Sequence, residues 1–151
     1  MALTKGGFSL WHPAERLIVT HITGEVNLEA VEQWDQSLQQ ALDQIDNNSS
    51  FKIFVNLHGF KASNFEAHKR FRTVIPATLA RYGWRVGYLD LFEEAAHLPI
   101  TTTRGIRCTA AVHVHQDETK IALYEERFSH DREHFFTDPA AAEQWIRKVA
   151  V

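Results

Sequence analysis

Short β-rich runs alternate along this chain with stretches whose apolar residues recur every three or four positions. That alternation is the strongest constraint on the fold. Strands separated by helices lie mostly parallel, and the sheet they form needs helices packed against it. Phe8 to Trp11 and Arg16 to Thr23 flank the turn His12-Pro13-Ala14-Glu15 and read as an antiparallel pair. In the second run Leu17, Val19 and His21 share one face, and Ile18, Thr20 and Ile22 the other. Gly24-Glu25 is expected to end this strand. Asn27 then fits as the cap of a helix whose stripe is Leu28, Val31, Trp34, Leu38, Leu42 and Ile45.

Phe51 to Leu57 is a short, β-rich run with few polar groups, as expected of an inner strand. His58-Gly59 breaks it. Ser63-Asn64-Phe65-Glu66 fits a capping box, with Ser63 accepting from the backbone of residue 66, so a helix is expected to start near Asn64. Its stripe is Phe65, His68, Phe71, Ile75, Leu79 and Tyr82, and Pro76 inside it predicts a kink or break near Val74–Ile75. Arg85 to Leu91 reads as a further strand. Phe92 to Arg104 reads as a loop with a short helical turn at 93–97. Thr109 to His115 reads as a strand with Ala111, His113 and His115 on one face and Ala110, Val112 and Val114 on the other. Asp117 to Phe128 reads as a helix, Glu133 to Phe136 as a short strand, and Asp138-Pro139 as the start of a last helix ending near Val149. The expected class is α/β, with a mixed sheet, helices packed on it, and the order β-β-α-β-α-β-β-α-β-α.

The 151 residues suit a single domain, 1–151, and 44% hydrophobic residues supply a core. Net charge is -3, with seven basic and eight acidic groups in residues 1–75 and nine and eleven in 76–151, so no half is basic and nucleic acid is not an expected partner. The single cysteine, Cys108, excludes an intramolecular disulfide and reads as a small buried hydrophobe. No apolar stretch resembles a signal peptide core or a membrane span, and the expected location is the cytoplasm.

Three groups of residues bear on chemistry. Nine histidines are many for this length. His113 and His115, two apart on a strand, point to one face, and His58 ends a neighbouring strand. Such a trio is one way to assemble metal ligands for a metal-dependent enzyme, the alternative reading of the chain, although no carboxylate triad completes it. Lys61, Lys69, Arg70, Arg72, Arg81 and Arg85 stand against Glu66 alone in residues 61–85, and Lys69, Arg70 and Arg72 form a basic patch suited to an anionic surface. Finally, there is no nucleophile elbow, P-loop or dinucleotide glycine pattern, and no cofactor is expected.

Several segments resemble one family. Arg16-Leu-Ile-Val-Thr-His-Ile-Thr-Gly-Glu-Val-Asn-Leu-Glu-Ala resembles the opening strand, Gly-Glu and helix of STAS-like and SpoIIAA-like proteins, the anti-sigma-factor-antagonist-like group related to SEC14-type domains. Phe51-Lys-Ile-Phe-Val-Asn-Leu-His-Gly-Phe resembles their second inner strand. Thr109 to His115, Lys120 to Phe128, His134-Phe-Phe-Thr-Asp-Pro and Ala142-Glu-Gln-Trp-Ile resemble their C-terminal half. The resemblance implies a module that regulates or binds, not one that catalyses. In anti-sigma-factor antagonists a phosphorylatable Ser or Thr opens the helix after an inner strand, and Ser63 is the nearest match. The expected ligand is apolar or anionic, with Phe60, Ser63, Phe65, Phe71 and Phe92 around it. Expected partners are a protein, a lipid-like ligand, a membrane surface met peripherally, or a second copy in a homodimer.

Overall fold

The computed structural model describes residues 6–93 and 97–151. The expected helical turn at 93–97 therefore falls largely outside the described residues. The strands are β1 (Gly6–His12), β2 (Leu17–Val26), β3 (Ser50–Asn56), β4 (Phe60–Ala62), β5 (Arg107–Val114) and β6 (Glu133–Phe136); the helices are α1 (Leu28–Leu42), α2 (Phe65–Ala80), α3 (Glu118–Phe128) and α4 (Pro139–Lys148). The sheet order is β1-β2-β3-β5-β6, with β4 attached to β2. Among the described strands β1 pairs antiparallel with β2, and the other strand pairs are parallel. The chain is thus α/β with a mixed sheet, as its alternating pattern requires.

Two apolar cores follow from the two-residue period of the strands. On one face α1 and α2 bury Ile18, Ile22, Trp34, Leu38, Phe51, Ile53, Val55, Phe71 and Leu79. On the other, α4 brings Ala142 and Ile146 onto Leu17, Phe54, Ala110, Val112 and Val114. In β5 the pairing with β3 slips, so that Phe51 meets Cys108 while Lys52 meets Ala110. Thr109 is the extra residue of a β-bulge. Cys108 is buried beside it as a small apolar filler, and burial pushes its thiol pKa up.

Three expectations are corrected. Residues 85–91 are not a strand. They form turns and a short 3-10 segment, Leu89–Leu91, whose backbone bonds locally, Leu89 N to Val86 O at 3.1 Å and Leu91 N to Tyr88 O at 3.0 Å, while the Gly87 N–H donates to Glu133 Oε1 at 3.0 Å. A Cβ on Gly87 would lie 2.7 Å from Phe128 Cβ, so only glycine allows this close approach. The sixth strand is instead β4, in what reads as a loop. There β2 continues past Gly24-Glu25 to Val26 and, having paired with β3 through Leu17–His21, pairs with β4 through Gly24–Val26. Gly59, at φ 89°, makes the bend between β3 and β4. Lastly, α2 is capped by Asn64, whose side chain accepts from Ala67 N at 2.9 Å, and Ser63 is exposed outside it. The helix runs through Pro76 to Ala80 without a break. Pro76, Val74 and Ile75 are all buried, and that packing outweighs the missing backbone donor.

The other helix starts match their caps: Asn27 accepts from Ala30 N at 2.9 Å, Asp117 from Lys120 N at 3.1 Å and Asp138 from Ala140 N at 3.0 Å. The layer behind the sheet has its own tie. Lys52, 3% exposed, points from β3 to the end of α4, where its Nζ donates to the carbonyls of Ile146 at 2.5 Å and Val149 at 2.8 Å. A cation at a helix C-terminus satisfies carbonyls that have no helical partner. Replacing Lys52 with Met keeps most of the volume and leaves these carbonyls unpaired. Urea unfolding of Lys52→Met is expected to show a loss of about 1–3 kcal/mol, the usual cost of an orphaned buried polar group.

Candidate ligand-binding cleft

Where the C-terminal ends of β3 and β5 emerge, α2 and α3 diverge and leave a cleft of about 80 Å³. This is the end of a parallel sheet at which open α/β folds hold ligands. Phe71, Arg72 and Ile75 line it from α2, Lys120, Ile121 and Tyr124 from α3, and Phe135 from β6; Tyr88 and Phe92 come from the irregular segment after α2. His113 and His115 line it from β5 and the residues just beyond. The walls are mostly aromatic. Tyr88 stacks on Tyr124 at 5.5 Å, and both phenols have their pKa raised by burial.

The floor is polar and fixed. His113 Nε2 lies 2.8 Å from Glu133 Oε2. Glu133 is fully buried and accepts from Trp84 Nε1 at 3.3 Å and from Gly87 N at 3.0 Å. With these donors already aimed at it, the Glu133 carboxylate acts as an acceptor, which places a hydrogen of His113 on Nε2. The ring is stacked on Phe135 at 4.9 Å and met edge-on by Tyr88 at 5.5 Å. Its orientation is therefore set on three sides.

The rim is cationic. Lys120 is half-buried, with Nζ 5.5 Å from the Tyr124 ring centroid. Burial lowers its pKa, and the nearby Asp117 charge partly opposes this. No carboxylate forms an ion pair with Lys120 among the described residues. Arg72 lies with its guanidinium carbon 5.5 Å over the Phe92 ring. His115, also half-buried, has its pKa pushed down to about 4, by burial first and by Lys120 second. Its Nδ1 accepts from Asp117 N at 3.1 Å, a bond that requires the unprotonated ring.

Of the residues marked in the sequence, Phe71, Phe92, Arg72, His113 and His115 meet at this cleft. Phe60 lies beneath it, stacked on Phe71 at 3.8 Å. Phe65 is 67% exposed and Ser63 is exposed, both away from the lining. Lys69, Arg70 and Arg72 diverge: Lys69 is exposed, Arg72 turns to the cleft, and Arg70 bridges Glu32 at 2.6 Å and Asp35 at 2.5 Å, tying α2 to α1. His58 is exposed and outside the lining. Among the described residues no three His, Cys, Asp or Glu side chains are grouped to hold a metal ion.

Sequence reasoning missed Lys120, Tyr88, Phe135 and Glu133. For Glu133 a signal exists. It alternates with Phe135 on a short strand, so one carboxylate occupies a core-facing position, which calls for a buried partner. For Tyr88 there is none, because its segment has no regular period.

The lowered pKa of His115 sets a direction for acid stability. Below its ordinary value of 6.5 the unfolded chain takes up a proton that the folded chain refuses until about pH 4. Stability therefore falls as pH drops through that window and is regained as pH rises. His115→Asn removes the titrating ring, and its unfolding free energy is expected to fall less than that of the parent between pH 7 and pH 4 in urea titrations. Compared with known protein families, curated proteins and solved structures, the chain matches none.

Proposed function

We propose that the chain is a STAS-like regulatory or ligand-binding module whose cleft takes a small amphiphilic anion. The observation that carries this reading is Lys120. Lys120 is half-buried beside the Tyr124 ring, with Asp117 near it but no ion pair among the described residues, and burial lowers its pKa because an ammonium is costly to hold among apolar side chains. An anionic ligand supplies the missing charge. Its apolar part fits against Phe71, Ile75, Phe92 and Phe135, and Arg72 stands at the same opening. The small volume suits one ring or a short branched chain, with the rest of the ligand at the surface.

The mixed sheet, its antiparallel first strand and the cleft at the ends of parallel strands support a module of this type. So does the placement of the chain's marked aromatic and basic residues, Phe71, Phe92 and Arg72, around one opening. Ligand binding is the step by which such a module signals: occupancy draws α2 and α3 onto a common guest and alters the surface they present to a protein partner.

Calorimetric titration with phenylacetate, hexanoate and their uncharged amides tests the reading. The acids are expected to bind and the amides to bind at least about tenfold more weakly, a difference of ~1.4 kcal/mol. Lys120→Met is expected to remove this preference while leaving the fold, followed by far-ultraviolet dichroism, unchanged. Equal binding of acids and amides, or no binding of either, counts against it.

A further inference from the structure

Beneath the proposed ligand site, the His113–Glu133 pair has features that a purely structural pair does not need. A buried Glu that only ties β6 to its neighbours is satisfied by Trp84 Nε1 and Gly87 N. Here it also orients, through Nε2, an imidazole that lines an open cleft. Among the described residues Nδ1 has no hydrogen-bond partner, and it is not among the side-chain atoms sealed from solvent without one; Arg16 Nη2 is the atom in that condition. A carboxylate on one nitrogen of an imidazole that lines a cleft is the arrangement that holds a general base. The lining contains no Ser, Thr or Cys, so this base has no protein nucleophile to activate. It acts on the guest directly or not at all.

We propose that His113 is a catalytic base that moves a proton on the bound guest, and that the guest class is a 2-oxo acid with an apolar or aromatic side group. This rests on the reading of the cleft as an anion site. The carboxylate end sits at Lys120, and the carbon next to the carbonyl faces His113. The C–H bond breaks, its proton passes to Nδ1, and its electron pair becomes the C=C bond of an enolate with the charge on the former carbonyl oxygen. Glu133 carries the imidazolium that forms. The proton then returns to oxygen, giving the enol, or to carbon, restoring the acid. Nothing is oxidised or reduced and no co-reactant is consumed. Glu133 is a positioning residue and does not touch the guest.

Proton exchange in heavy water tests this on the full chain, with phenylpyruvate and 4-methyl-2-oxopentanoate as probes. Loss of the C3 proton signals is followed by NMR, and probe binding is measured in parallel by calorimetry. The parent protein is expected to accelerate exchange well beyond free imidazole at equal concentration. His113→Gln is expected to lower the rate at saturating probe by about 100-fold or more, the usual share of a positioned base, with probe affinity little changed. Glu133→Gln keeps the shape and removes the charge, so it is expected to slow exchange at saturating probe without weakening probe binding. If Glu133→Gln does not fold, His113→Gln alone decides. Binding without exchange above the imidazole control overturns this inference and leaves the anion site standing, as does unchanged exchange in His113→Gln. Failure of both probes to bind overturns both.

Discussion

The buried carboxylate of Glu133 is the interaction on which the cleft depends. It joins the irregular segment after α2, through Trp84 and Gly87, to the paired strands β5, through His113, and β6, its own strand. A carboxylate without exposure is tolerable only where several donors converge on it. Satisfying it therefore fixes where the segment runs, where Tyr88 is placed, and which way the His113 ring turns. Without that centre, the 84–88 stretch would keep only local backbone bonds, such as Trp84 N to Leu79 O and Leu89 N to Val86 O.

Most of the framework was legible in the residues because it follows from periodicity. Leu28 to Leu42 keeps a helical stripe and Asn27 offers it a cap, and both are used. Glu133–Phe136 and the Asp138-Pro139 start of α4 fall where the pattern puts them. The errors have one cause. Arg85 to Leu91 has the composition of a strand, but composition says nothing about hydrogen-bond partners, and Gly87 N bonds a side chain 46 positions away. Phe60–Ala62 is too short to show a period and becomes a strand only because β2 is long enough to offer it an edge. Ser63 and Asn64 are both good caps, and which one is used depends on where the chain leaves β4.

The cleft was half legible for a related reason. Residues on regular elements, such as Phe71 and His113, can be assigned to a face from their spacing. Which faces of α2 and α3 come to border the same opening is a matter of topology. Lys120 looks like any solvated lysine until Tyr124 and Ile121 are known to line the same gap. Its unusual setting is created by burial between elements far apart in the sequence, and burial is the property that a linear pattern records least well.

The bulge at Thr109 decides more than the shape of one strand. In an unbroken ladder, residues of the same parity as Cys108 would share its side of the sheet, and His113 would belong to the opposite side, against α4. One surplus residue exchanges odd for even, so that Ala111 and His113 rejoin the face of Cys108 and the imidazole meets Glu133. The placement of His113 at the top of β5 is thus set by counting at its bottom. A single deletion there, far from any lining side chain, would turn the cleft's histidine inside out while leaving the hydrophobic inventory of the protein almost untouched.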